Sequence, residues 1–179
     1  TRLSDKSEPV FIHGKRVARL ACAIAKIMDY SDEEIKLIQQ AAAVHDIGKL
    51  GLPPEIVNKP DTFNSEELVI IRKHPELGYS ILKQITKSES VITEVALQHH
   101  ERLDGSGYPF GLRARSINPI TRIISVADVI DTMVSPQVYR SALSIEEAMR
   151  EIRQNSGLLY DRDVVAVSLS LIEKDEFSV

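Results

Sequence analysis

Apolar residues recur every three or four positions along almost all of this chain, and that period restricts the fold more than any other feature. From His13 to Met28 they fall at Val17, Leu20, Ala21, Ile24, Ile27 and Met28, a single helical stripe with His13 at one end. Ser31 and Glu34 have the spacing of a capping box, and the next inward stripe runs through Ile35, Ile38, Ala41 and Ala42 to His45. Gly48, Gly51 and Pro53-Pro54 end that helix. Asn64 and Glu67 repeat the box before a helix predicted to reach about His74, and Pro75 suits the first turn of another that carries Leu77, Ile81 and Leu82. A further helix is predicted from about Val91 to His100, with Ile92, Val95 and Ala96 inward. Glu101 to Leu112, with Gly105, Gly107, Pro109 and Gly111, reads as an ordered loop. Asn118 caps, and Pro119 starts, a helix carrying Ile120, Ile123, Ile124, Ala127, Asp128, Ile130 and Asp131. Ser144 and Glu147 box another that stops near Gly157, and a last helix spans about Arg162 to Glu173. No strand alternation, repeat or linker interrupts the pattern. The expectation is an all-α, single-domain helical bundle of about seven or eight helices.

At 179 residues, 43% of them hydrophobic and 27% charged, the chain suits one soluble domain over residues 1–179 with a full core. A net charge of −4 without a Lys/Arg run argues against a nucleic-acid polymer as partner. It leaves room for a small anion held by a few cations. There is no signal peptide and no apolar stretch of membrane-spanning length, so no membrane association is expected. The single Cys22 lies in an apolar stripe and reads as a small buried hydrophobe; without a possible internal disulfide, a reducing cytoplasm fits. Starting at Thr1, the chain is expected to be a domain cut from a longer protein.

All five histidines, His13, His45, His74, His99 and His100, sit where a metal ligand could sit. Taken singly, each has an ordinary alternative. His45-Asp46 could be a capping pair, one of His99-His100 could be core and the other exposed, and His74 could mark a helix boundary. Asp128 is harder to dismiss. It falls four residues after Ile124 on an apolar face, where a carboxylate is costly unless paired or metal-bound. Adjacent residues on a helix point about 100° apart, but at a helix end both can turn to one cation. Jointly, nearly all these residues end a helix or interrupt an apolar face, as ligands projecting into a bundle core would. Nitrogen and oxygen donors without thiolates disfavour a structural zinc site and suit Fe, Mn, Co, Ni or catalytic Zn. Two such ions about 3.5–4 Å apart can activate a bridging water and clamp a phosphoryl group.

The segments HGKRV (His13–Val17), HDIGK (His45–Lys49), HPELG (His74–Gly78), HHERLDGSGYP (His99–Pro109) and ADVID (Ala127–Asp131) resemble, in this order, the HD-GYP family of the HD-domain phosphohydrolases. HHE followed by DGSGYP is more specific than HDIGK, and the resemblance runs from about residue 10 to about 170. It implies an all-α fold and hydrolysis of the second messenger cyclic di-GMP to pGpG, GMP or both. It further implies two divalent ions, Fe or Mn foremost, held by His13, His45, Asp46, His74, His99, His100 and Asp128, with Asp46 bridging and catalytic. Lys49 would stabilise charge on the scissile phosphate, and Arg140, Asp131 and Tyr108 would contact substrate. The Gly107-Tyr108-Pro109 loop would wall the site and dock diguanylate cyclase domains, or its glycines would simply shape a turn. Glu101 and Asp104 would hydrogen-bond metal-bound histidines, or be solvated. An upstream sensory or receiver domain is a family-level expectation, and a homodimer is left open.

Two departures stand out. Some family members hold a third metal through a Glu four residues before the first histidine; Pro9 stands there and Glu8 is out of register, so a binuclear site is expected. The family's Arg-Pro-Tyr-Arg is here Gln137-Val138-Tyr139-Arg140, one cation fewer for a bis-anionic substrate. The competing readings are an HD phosphohydrolase of pGpG or another cyclic dinucleotide, a non-hydrolytic nucleotide-sensing or docking module, and a di-iron redox or oxygen sensor.

Overall fold

The three capping boxes read from the sequence all form. Ser31, Asn64 and Ser144 each accept the N–H of a glutamate three residues on, whose carboxylate returns to the cap N–H. A fourth, Ser90 with Thr93, lacks the usual Glu or Gln, and the pattern passes it by. The structure, a computed structural model, describes residues 4–87, 89–136 and 142–174, with side chains from Pro9 onward. Among these the chain is all-helical: α1 (Ser4–Ile27), α2 (Asp32–Val44), α3 (Pro54–Val57), α4 (Ser65–Ile71), α5 (His74–Thr86), α6 (Val91–Gln98), α7 (Pro119–Val134), α8 (Ile145–Gln154) and α9 (Arg162–Glu173). Two 3-10 turns, Ile47–Gly51 and Ala114–Ser116, complete it. No described helix is long and apolar enough to cross a membrane.

The packing follows the predicted stripes. Val17, Leu20 and Ile24 of α1, Ile38 of α2, Val95 of α6, Ile123, Ile124 and Ile130 of α7 and Ile152 of α8 form one core at 1% exposure or less. Each such aliphatic side chain contributes about 1.5–3 kcal/mol when taken from water. Helix α7 runs through the middle, with ten of its sixteen residues buried.

The deviations are local. Helix α1 begins nine residues before His13 and carries Pro9 within it, where the proline removes only one ladder bond near the N-terminus. The helix predicted to reach His74 stops at Ile71, and His74 instead opens α5 with Pro75 beside it in the first turn. After α2 the chain does not simply stop: it tightens into the 3-10 turn at Ile47–Gly51 and then the short α3, neither of which leaves an apolar period long enough to read.

Candidate metal centre

Each predicted ligand among the five histidines, Asp46 and Asp128 reaches one buried cleft between α1, α2, α5, α6 and α7. His45 is the C-cap of α2, still αR, whereas Asp46 (φ −96°, ψ 8°) leaves the helix for the 3-10 turn. That switch turns two consecutive side chains to the same side. His99 likewise caps α6, followed by His100. His74 arrives because α5 packs directly on the 3-10 turn. A Cβ on Gly48 would come within 1.9 Å of the His74 carbonyl oxygen and 2.5 Å of the Gly78 nitrogen, so only glycine permits the approach.

The donors form two groups that share Asp46: His13, His45 and Asp46, and Asp46, His74, His99 and His100. The carboxylate divides between them. Oδ2 lies 3.7 Å from Nε2 of both His13 and His45. Oδ1 lies 3.3 Å from Nε2 of His74 and 3.6 Å from that of His99. Asp128 Oδ1 joins the first group, 3.0 Å from His13 Nε2 and 3.6 Å from His45 Nε2.

Three rings are fixed from behind. His45, His74 and His99 donate Nδ1–H to the carbonyls of Ala42, Ile71 and Ala96 at 2.7, 2.7 and 3.0 Å. Their Nε2 atoms therefore present lone pairs to the cleft. His74 Nε2 nevertheless lies 3.2 Å from Nε2 of His99 and 3.1 Å from that of His100. His45 Nε2 and Asp46 Oδ1 are buried with no hydrogen-bond partner. Converging lone pairs and orphaned polar atoms are costly without a cation, and the nitrogen–oxygen donor set suits a hard-to-intermediate divalent one. The residues fit a metal.

The charges agree. Burial alone would raise the Asp46 carboxyl, but the Lys49 ammonium and the His45 ring hold it well below the usual range. Lys49 Nζ donates to Asp46 Oδ2 at 2.5 Å. At Asp128, hydrogen bonds from His13 and His45 likewise outweigh burial. Burial, with His99 and Lys49 nearby, pushes His74 down to about 3 despite the pull of Asp46. His99 and His100 are also held neutral, chiefly by burial. His13 is the exception: burial opposes its charge, but hydrogen bonds to Asp128 and Asp131 raise it to about 10.

Other expected residues are placed differently. The Asp131 carboxylate, expected to contact substrate, is engaged by His13 and Arg16. Glu101 meets no histidine among its hydrogen bonds. Buried to 2% exposure, it accepts the N–H groups of Phe110 and Leu112 at 2.8 and 2.9 Å and so holds the glycine-rich loop. Asp104 accepts from the backbone and hydroxyl of Ser106 within the loop. Tyr108 stacks on His100, with ring centroids 4.7 Å apart at 24°, so the loop does wall the site. Arg140, with Gln137 and Val138, lies outside the described residues. The sequence reading missed Arg16, although it is one helical turn from His13, and Arg72, whose guanidinium lies 5.2 Å over the Tyr108 ring. Nothing in local pattern marks Arg72.

The HD domain family model matches residues 2–164. A cyclic di-GMP phosphodiesterase of Thermotoga maritima is 44% identical over 163 residues, 89% of this chain and 44% of that protein. A 3′3′-cGAMP-specific phosphodiesterase 1 of Vibrio cholerae is 40% identical over 149 residues, 83% of this chain and 34% of that protein. The chain thus spans less than half the length of these curated relatives. Among solved structures, an HDG"Y"P protein from Bdellovibrio bacteriovorus superposes with TM-score 0.76 at 21% identity, over 92% of this chain and 52% of that one, a likeness of fold. On the family match and the motifs that converge in its cleft, the chain belongs to the HD domain family and carries the residue set of its HD-GYP branch.

Proposed function

We propose that this domain is a metal-dependent phosphodiesterase that hydrolyses cyclic di-GMP to pGpG, GMP or both at a binuclear centre, acting in the cytoplasm. One observation carries the reading: the two oxygens of Asp46 face two different groups of imidazoles. His13, His45, Asp46 and Asp128 would hold one ion, and Asp46, His74, His99 and His100 the other, with iron or manganese suited to these donors. Two divalent ions held there supply an activated water and neutralise charge on the phosphoryl oxygens. Water adds to phosphorus, the P–O3′ bond breaks, and the 3′-oxygen leaves with a proton. Lys49, which donates to Asp46, would shift towards a phosphoryl oxygen and stabilise the charge that develops there. Tyr108 and Arg72 form an aromatic and cationic rim beside His100 for a base or a phosphate.

The test is Asp46→Ala, purified anaerobically. Bound metal falls from two equivalents to one or none, and hydrolysis falls at least about 10³-fold, as for loss of a group that unites a reacting site. Full turnover by that variant would falsify the mechanism. The relative specific for 3′3′-cGAMP favours a second reading in which cyclic GMP-AMP is the preferred substrate. Parallel assays with cyclic di-GMP, cyclic GMP-AMP and pGpG decide between them by kcat/KM.

A further inference from the structure

His45, His74 and His99 share a means of fixing their rings that His13 cannot use. Their acceptors, the carbonyls of Ala42, Ile71 and Ala96, belong to the last turns of α2, α4 and α6. Carbonyls there lack an N–H partner within the helix, so an imidazole can take them. His13 lies inside α1, which runs from Ser4 to Ile27, and the carbonyls one turn back are engaged in the helical ladder. Its ring is anchored across the bundle instead. Nδ1 donates to Oδ2 of Asp131 on α7 at 2.7 Å. The Asp131 side chain is 2% exposed, and its carboxylate is gripped at both oxygens by Arg16, Nε to Oδ1 at 2.6 Å and Nη2 to Oδ2 at 2.9 Å. Arg16 stands one turn after His13, so α1 supplies both the ligand and the cation that holds the ligand's anchor.

We propose that Asp131, clamped by Arg16, is a positioning residue that keeps the lone pair of His13 Nε2 on the cation side, so that this pair sets the metal affinity of the His13–His45–Asp46 group and not of the His74–His99–His100 group. The proposal rests on the binuclear reading above. Its physical basis is tautomer choice. A carboxylate only accepts, so it retains hydrogen on Nδ1 and leaves Nε2 free to ligate. The Arg16 fork fixes the carboxylate plane and offsets the cost of burying it. An asparagine at 131 can turn its amide to donate to Nδ1. That moves the ring hydrogen to Nε2 and removes the ligand without removing any atom of the histidine.

The experiment is calorimetric titration of the chelated domain with Mn²⁺, for wild type, Arg16→Ala and Asp131→Asn, beside thermal melting of the same samples without metal. Wild type is expected to take two ions. Each variant should weaken one of them by about 10–100-fold, the range typical of lost outer-shell partners, and leave the other unchanged. Two unaltered affinities in both variants overturn the proposal. Equal weakening of both ions together with a lowered melting point also overturns it, because that is general loosening of the fold. Arg16 has a partly exposed side chain, so Arg16→Ala keeps the test open if Asp131→Asn does not fold. A wild type that takes a single ion defeats the binuclear reading; an Arg16→Ala domain that then binds that ion equally well defeats the positioning role separately.

Discussion

Asp46 and Lys49 are three residues apart and form an ion pair, and the proposed mechanism gives them different tasks. In the proposed centre Asp46 would bridge by virtue of its two oxygens, a role that no imidazole can fill. Lys49 would supply the positive charge beside it. The two should therefore separate experimentally. Lys49→Met should keep both metal equivalents yet lower kcat by about 10²–10³-fold, the usual effect of removing one preorganised charge donor at a transition state. Parallel loss of metal in that variant would show Lys49 to be structural. The residues that converge in the cleft could be named from the chain because a buried carboxylate, or a pair of histidines at a helix end, is costly to fold unless a cation or a charged partner compensates it. The partners of Asp131 were not legible, for the opposite reason. Its face on α7 is legible, but that a carboxylate there meets His13 and Arg16 depends on a helix 118 and 115 residues away in sequence.

At the level of elements, helix ends do most of the positioning. The C-termini of α2, α4 and α6 each give up a free carbonyl to a histidine, and the N-terminus of α5 is pressed on the 3-10 turn. Gly48→Ala should force backbone atoms apart, cost about 3 kcal/mol in urea unfolding and reduce metal content, since His74 would be displaced. The glycine-rich loop is held by Glu101, and Gly107 fits because a Cβ would come within 2.4 Å of the Glu101 Cα. In Glu101→Ala the N–H groups of Phe110 and Leu112 lose their acceptors. Hydrogen exchange over residues 105–112 should rise by about 10-fold or more, equivalent to about 1–3 kcal/mol of local stability, with both metal equivalents retained. If the loop stays protected in that variant, Glu101 is not its strut. Helix identities, caps and the last helix were legible because stripes and capping boxes are local signals. The 3-10 turn, α3 and the break between α4 and α5 were not, because they are short and set by contacts with other elements.

For the molecule as a whole, the centre couples folding to pH when metal is absent. His74 titrates lower in the fold than in the unfolded chain, at about 3 against 6.5, so its contribution is present above pH 6.5 and is lost as pH falls towards 3. His99 and His100 act in the same direction, and the depressed Asp46 and Asp128 carboxyls add to the loss in acid. His13 is raised to about 10, so its contribution is complete below pH 6.5 and is lost as pH rises through 10. Melting of the chelated domain should peak near neutrality and fall on both sides, whereas saturating Mn²⁺ should raise the melting point most at the alkaline end, where the competing proton on His13 is gone. A chelated protein whose melting point is level from pH 5 to 10 would show that the cleft is not held in this charge state. Helical periodicity, capping and the five histidines with Asp46 and Asp128 were sufficient to give an all-α bundle with metal-binding chemistry, because those properties arise from neighbours three or four residues away. The division of Asp46 between two groups of donors, the redirection of Glu101 to the loop and the anchoring of His13 by Asp131 and Arg16 all join elements far apart in the chain. Packing alone fixes them, because a side chain's hydrogen-bond partner is set by which helices meet, and no local spacing encodes that.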